Sequence, residues 1–304
     1  MEISRGTMWT LVAGFGAATA LLLAAAGLGV TGWLTATRLL LAGGALALVR
    51  SRHVRRTPVI DRLAATIEGW TAFGLVCLFG AAGSYALAAV GAGYADELLA
   101  QADRRLGLDW VALYRATAAS PWAQRIGQGA YGSIFWLPMI TIAALVWTGR
   151  DAAMRRFVAG YAASLIATLA IFPFFPARSA LVHYLGAGAS YAPFTGVRHV
   201  ELFERLRAGA LARVNLDELS GMITFPSFHA ASALLFIWGA WPVPGLRVVV
   251  ALVSGAMLLA TPIEGTHYFV DVIGGLVVAG AVVGVMELAA PLGRRRARVR
   301  PALA

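Results

Sequence analysis

Apolar residues run along this chain in long unbroken blocks, with the polar residues gathered between them. Eight blocks are present, at about 8–30, 32–49, 64–90, 132–148, 157–173, 226–241, 246–262 and 268–289. Most have the roughly 17–25 residues that a helix needs to cross ~30 Å of hydrocarbon. None shows the period-2 alternation of a membrane barrel strand. The pattern predicts an all-α, polytopic transmembrane helix bundle of about eight spans. The first two blocks meet at Thr31 and Gly32 and read as a helical hairpin, with Arg38 interrupting the second. The stretch "ADELLAQADRRLGLDWVALYRA" (95–116) spaces Leu98, Leu99, Leu106, Leu108 and Trp110 among charges, which predicts an amphipathic helix at the membrane interface. The flexible "YLGAGASYAPFTG" (184–196) precedes "VRHVELFERLRAGALARVNLDEL" (197–219), where a second short amphipathic helix is expected. The organisation that follows is a two-span hairpin with a basic loop (1–62), a six-span core (63–290) and a basic tail (291–304).

Composition agrees with a membrane protein. Of 304 residues, 59% are hydrophobic and 13% charged, against about 25% charged in a soluble domain. The net charge is +10, and all 25 basic residues are arginine. They do not point to nucleic acid, because they cluster in short connections between spans. Five lie in 50–62, three in 149–156 and five in 293–300. In an eight-span chain these segments share one side with Arg247, and the positive-inside rule makes that side cytoplasmic. Both termini are then inside, and the long loops 91–131 and 174–225 are outside. The first block is too long for a typical signal sequence and lacks a clear cleavage site, so it reads as a retained span. The single cysteine, Cys77, allows no disulfide and no cysteine-based metal site within one chain.

Ionisable residues in membrane segments are functional suspects, and this topology brings four to the outer ends of three spans. In "GTHYFVD" (265–271), His267 and Asp271 stand four apart. On one helix face, the carboxylate would accept an imidazole N–H and free the other ring nitrogen as nucleophile or base. The alternative is a capping aspartate beside an interfacial histidine. In "FPSFH" (225–229), Pro226 suits a first helical turn, where Ser227 and the free amides make an anion site. His229 there is placed to give a proton; a serine cap with an interfacial histidine is the plainer reading. In "FPFFPARSA" (172–180), Arg178 suits bidentate phosphate binding or simple snorkelling. Together the residues make a kit for phosphoryl transfer through a phosphohistidine. Zinc held by His267, Asp271 and His229 is a rival, ranked lower because Arg178 would oppose a cation. No cofactor is called for.

These motifs resemble the type 2 phosphatidic acid phosphatase superfamily of membrane enzymes. "PSFH" matches its Pro-Ser-Gly-His signature, with Phe228 in place of glycine, and "HYFVD" matches its His-x-x-x-Asp. The arginine of the last signature would fall at Thr261 and its serine at Ala260; the first signature's lysine would fall at Ile171. "FPFFPAR", "GTHYFVD" and "DRRLGLDW" (103–110) look similar to the bacterial relatives of inositol phosphorylceramide synthase, over about 95–280. The resemblance implies a metal-independent, six-helix catalytic core in the bacterial inner membrane, with its site on the periplasmic or extracellular side. It implies His267 as nucleophile, Asp271 as its orienting partner and His229 as proton donor and acceptor. Arg178 and Ser227 would bind the substrate phosphate, and Phe228 would narrow the site or line an acyl path. Tyr268, His183 and Glu264 stand nearby and are read as structural.

Three functions remain in play. The first is a lipid phosphate phosphatase or phosphotransferase acting on a phosphorylated lipid. The second is a headgroup transferase, moving a phospho-alcohol such as phosphoinositol onto a lipid acceptor. The third, suggested by the missing basic signature residues, is a non-catalytic lipid-binding or transport protein. The sequence carries no sign of oligomeric state.

Overall fold

A computed structural model of the chain describes residues 3–51, 57–91 and 93–289. Arg52, Arg55, Arg56 and the basic tail lie outside the described residues. In chain order the elements are α1 (Arg5–Ala25), β1 (Gly29–Thr31), α2 (Trp33–Arg50), α3 (Pro58–Val90), α4 (Asp96–Arg105), α5 (Trp110–Ala118), α6 (Pro121–Tyr131) and α7 (Leu137–Trp147). There follow α8 (Asp151–Ile171), α9 (Ala180–Tyr184), α10 (Arg198–Arg207), β2 (Arg213–Asn215), α11 (Phe228–Ala240), α12 (Pro244–Glu264) and α13 (Phe269–Leu288).

The all-α bundle is present, with a smaller count of long spans than eight. Among the described residues six helices are long and apolar enough to cross a membrane: α1, α2, α3, α8, α12 and α13. A seventh is made if α6, its 3-10 extension to Phe135 and α7 count as one span bent by 49°. Pro138 in the first turn of α7 lacks the N–H that would carry the helix through that bend. The sixth apolar block yields only α11, 13 residues long, or about 20 Å. Only Pro226 and Ser227 at its N-terminal edge lie outside the helix, with Ser227 as the N-cap and His229 in the first turn.

The expected interfacial helices form as α4, α5 and α10. The 95–116 stretch is two helices, because Asp109 caps a new start by accepting the Ala112 N–H (2.9 Å). The turn between the first two spans also differs from a simple hairpin. Gly29, Val30 and Thr31 pair in parallel with Arg213, Val214 and Asn215. That pairing ties the N-terminal hairpin to the loop ahead of α11.

Helix α3 runs along α1, α2, α7, α8 and α10, and α8 packs on α11 and α13 around Phe73, Phe157, Tyr161 and Phe236. Where α11 meets α13 there is no space for a side chain. A Cβ on Gly275 would lie 2.1 Å from the Ser227 carbonyl oxygen. This contact brings the starts of the two helices together.

Arginine pairs tie one end of the bundle together. At one end, Arg5 and Arg50 both pair with the buried Glu68, Arg62 donates to the Val146 carbonyl, and Arg156 meets Glu287 at 3.1 Å. Glu287 lies at the C-terminal end of α13, whereas His267 immediately precedes its start. Twenty residues of helix place those ends about 30 Å apart. The Arg156–Glu287 pair therefore lies at one end of α13 and His267 at the other.

Candidate active site

The site grows from the turn between α12 and α13. Thr266 takes a left-handed conformation (φ 55°), which is costly for a β-branched residue and reverses the chain sharply. Its carbonyl is fixed by the Ala180 N–H (3.0 Å). Gly265 is required beside it: a Cβ there would lie 2.7 Å from His267 Cδ2 and 2.8 Å from the Tyr131 hydroxyl. The turn delivers His267 just ahead of α13, not onto the helix as the four-residue spacing suggested.

Asp271 nevertheless reaches it. One carboxylate oxygen, Oδ2, accepts the Tyr268 N–H (3.0 Å) and contacts His267 Nδ1 (3.1 Å). Both readings of the motif hold in one group: Asp271 caps α13 and orients the imidazole. His267 Nε2 makes no hydrogen bond among the described residues and stands at a cavity. The next two amides of α13, Phe269 and Val270, donate to the two oxygens of Asp103 (2.9 Å each). Anions at a helix N-terminus are favourable, so this end is already filled by carboxylates. Burial raises the Asp103 pKa against the pull of those two N–H donors. Trp110 Nε1 donates to the carbonyls of Pro262 (3.0 Å) and His267 (3.1 Å). The "DRRLGLDW" element thus caps α13 through Asp103 and pins the His267 backbone through Trp110.

His229 enters from α11. Pro226 precedes the cap instead of occupying the first turn. Ser227 is the N-cap, accepting the Ala230 N–H (3.5 Å), and its own N–H donates to the Asp271 carbonyl (2.9 Å). The Phe228 and His229 amides have no partner among the described residues. His229 stacks on Tyr131, ring centroids 4.0 Å apart, with Nδ1 3.1 Å from the Tyr131 hydroxyl. A hydroxyl both donates and accepts, so this bond survives either protonation state of the ring. Its other nitrogen, Nε2, is buried and has no partner among the described residues.

His229 and His267 line one cavity of about 420 Å³ together with Tyr131, Thr195, Arg198 and His199. Burial lowers the His199 pKa, opposed by its contact with the Arg178 carbonyl (2.8 Å). Neutral His199 donates through Nε2 to that carbonyl.

Two sequence-predicted phosphate ligands do not line this cavity. Arg178 pairs with Glu204 (Nε to Oε1, 3.1 Å) and lies over the Tyr94 ring at 4.5 Å. Ser227 is fully buried as a cap. Each of the secondary candidates has a partner within the protein. Tyr268 donates to Asp96 (2.8 Å), Glu264 accepts from Tyr191 and from the Phe194 N–H, and His183 stands 3.6 Å from Glu97. Tyr131, Arg198 and His199 were not singled out from sequence; Arg198 and His199 look there like ordinary charges of an amphipathic helix. Among the described residues no three His, Cys, Asp or Glu side chains gather closely enough to hold a metal ion.

Removing the Asp103 carboxylate leaves two α13 amides without acceptors. Asp103→Ala is expected to lower stability by about 1–2 kcal/mol, with Asp103→Asn milder because its amide oxygen still accepts. Thermal unfolding of the detergent-solubilised variants checks this; unchanged melting temperatures would contradict the capping role.

Comparison with known families matches residues 97–285 to the PAP2 superfamily. Neither the curated proteins nor the solved structures contain a match to the chain. The matched stretch covers well over half the chain and contains every residue of the cavity just described. With its long apolar helices, the chain is an integral membrane protein and belongs to the PAP2 superfamily of phosphatases and phosphotransferases.

Proposed function

We propose that this protein is a lipid phosphate phosphatase or phosphotransferase that works through a phosphohistidine on His267. The observation that carries the reading is the pair of histidines on one cavity. Each has its Nδ1 held from behind, by Asp271 or by Tyr131, and its Nε2 left without a partner among the described residues.

In the first step His267 Nε2 attacks the substrate phosphorus as the bond to the lipid oxygen breaks. His229 Nε2–H protonates that oxygen, and the alcohol leaves. Asp271 stays ionised and balances the charge developing on the His267 ring. In the second step neutral His229 takes a proton from water or an alcohol. The resulting oxygen nucleophile attacks phosphorus, the P–N bond breaks, and His267 is restored. The unpartnered Phe228 and His229 amides suit the phosphate oxygens. Arg198 lines the same cavity, with its guanidinium paired to the exposed Glu218 (3.0 Å), and would exchange that partner for phosphate in place of the arginine that the family signature has where Thr261 stands. Arg178 acts at one remove, through the carbonyl that positions His199.

The short connections 50–62 and 149–156 carry eight arginines, and the positive-inside rule favours a cytoplasmic place for them and a periplasmic or extracellular one for the histidines. A second reading is headgroup transfer. A cavity of about 420 Å³ is far roomier than one water requires and accommodates an alcohol acceptor such as inositol. A non-catalytic lipid carrier would have no use for two histidines so held.

His267→Ala should cut phosphate release from lipid phosphates by at least about a thousandfold, and wild-type activity should survive EDTA. Undiminished activity in the variant would refute the mechanism, and loss with EDTA would favour the metal reading. Arg198→Ala should raise KM for the phosphate substrate about tenfold, with a smaller effect from Arg178→Ala. The reverse order would return the phosphate to Arg178.

A further inference from the structure

The cavity has a second arm. A space of about 640 Å³ continues from His229, His267, Phe135 and Ile223 away from the polar opening. Its walls are nearly all apolar, from Phe73, Gly74 and Ala81 on α3, Met139 on α7, Leu165 on α8 and Phe228 on α11. The size and character suit a hydrocarbon chain. Phe228, which replaces the glycine of the family signature, lines this arm and sets its edge against Tyr161 (5.0 Å, 75°).

One charged residue lines it, Arg38. Arg38 is the sixth residue of α2, about 8 Å along the helix from its start. No residue of α2 is buried, and Arg38 is exposed. Its guanidinium makes no hydrogen bond or ion pair among the described residues. Asp217 is the acidic group that feels it. That carboxylate is already used by the Thr35 and Leu34 amides (2.6 and 3.1 Å), and its pKa is lowered first by Thr35, with a smaller effect from Arg38. Asp217 and the pairing of Thr31 with Asn215 fix the start of α2 beside the loop that carries Leu219 and Gly221 into both arms. An arginine inside an apolar helix, held at the mouth of a cavity with its donors unfilled, calls for an anion. In a bilayer the anion at that depth is a lipid phosphate. Neither α2 nor α3 lies within the family match at 97–285, so this entrance belongs to the chain's own N-terminal part.

We propose that the apolar arm holds the substrate's hydrocarbon chain and is entered sideways from the bilayer past Arg38, which recruits the phosphate of an anionic lipid. The proposal rests on the phosphoryl-transfer reading for its substrate class, and binding tests it apart from turnover. A Cβ on Gly74 meets nothing within 4 Å, so Gly74→Trp fills the arm without disturbing the helix packing, and Arg38→Gln alters an exposed side chain. Native mass spectrometry of the detergent-solubilised protein would measure affinity for dioleoyl phosphatidic acid and for dioleoylglycerol. Arg38→Gln should weaken the phosphatidic acid complex about tenfold and leave dioleoylglycerol unaffected. Gly74→Trp should weaken both, and Ala81→Leu should do the same to a lesser degree. Affinity unchanged in Arg38→Gln, or in both cavity-filling variants, would overturn the proposal. So would a wild-type protein that binds neither lipid. Lipid that binds as described but is never hydrolysed or transferred would instead overturn the phosphoryl-transfer reading.

Discussion

One buried carboxylate oxygen organises the site. Asp271 Oδ2 caps the first turn of α13 and holds His267 Nδ1, so the helix and the imidazole cannot be oriented independently. The backbone of the same residue accepts the Ser227 N–H, which sets the start of α11 against it. The contact needs Gly275, whose Cβ would strike the Ser227 carbonyl. Asp103 and Asp96 extend the arrangement by taking the Phe269, Val270 and Tyr268 donors. Buried carboxylates are costly unless their oxygens are filled. Here the helix amides and a phenol fill most of them, and the reward is a rigid pair of histidines.

The arginines at the end away from the histidines have a matching logic. Arginines sit where spans begin or end at one face, satisfied by Glu68, Asp151 and Glu287. The other face carries arginines as well, and two of the chain's arginines line cavity arms: Arg198 the polar one and Arg38 the apolar one. The arms meet at His229 and His267. A lipid phosphate fits this shape with its chain on one side of the reacting atom and its attacking water or alcohol on the other.

Much of this was legible in the chain. Long apolar blocks and arginine-rich connections follow from the solvent alone, and they led to the bundle. His267, Asp271 and His229 were legible through spacing. Their geometry was not: the i,i+4 pair is made through a cap and a left-handed Thr266 instead of a helix face. Pro226 looked like a helix starter, yet the helix waits for Ser227. Arg178 was read from its position at a span end, but a long side chain goes where its partners are, and Glu204 and Tyr94 lie far along the sequence. Tyr131 and Arg198 carry no local signal, because the loops that bring them to the histidines fold by tertiary contact. Arg38 was visible only as an interruption until the cavity beneath it gave the charge a setting.

The central claim is a covalent bond from His267 to phosphorus, and it is tested most directly by trapping. His229→Gln protein can be quenched after reaction with nitrophenyl phosphate, whose leaving group needs little protonation, and its peptides read by mass spectrometry. The account predicts phosphate on His267, accumulating because the base for the second step is gone, and its absence when His267 is also replaced. Phosphate on another residue, or turnover by the wild type with no phosphohistidine in either protein, would contradict it.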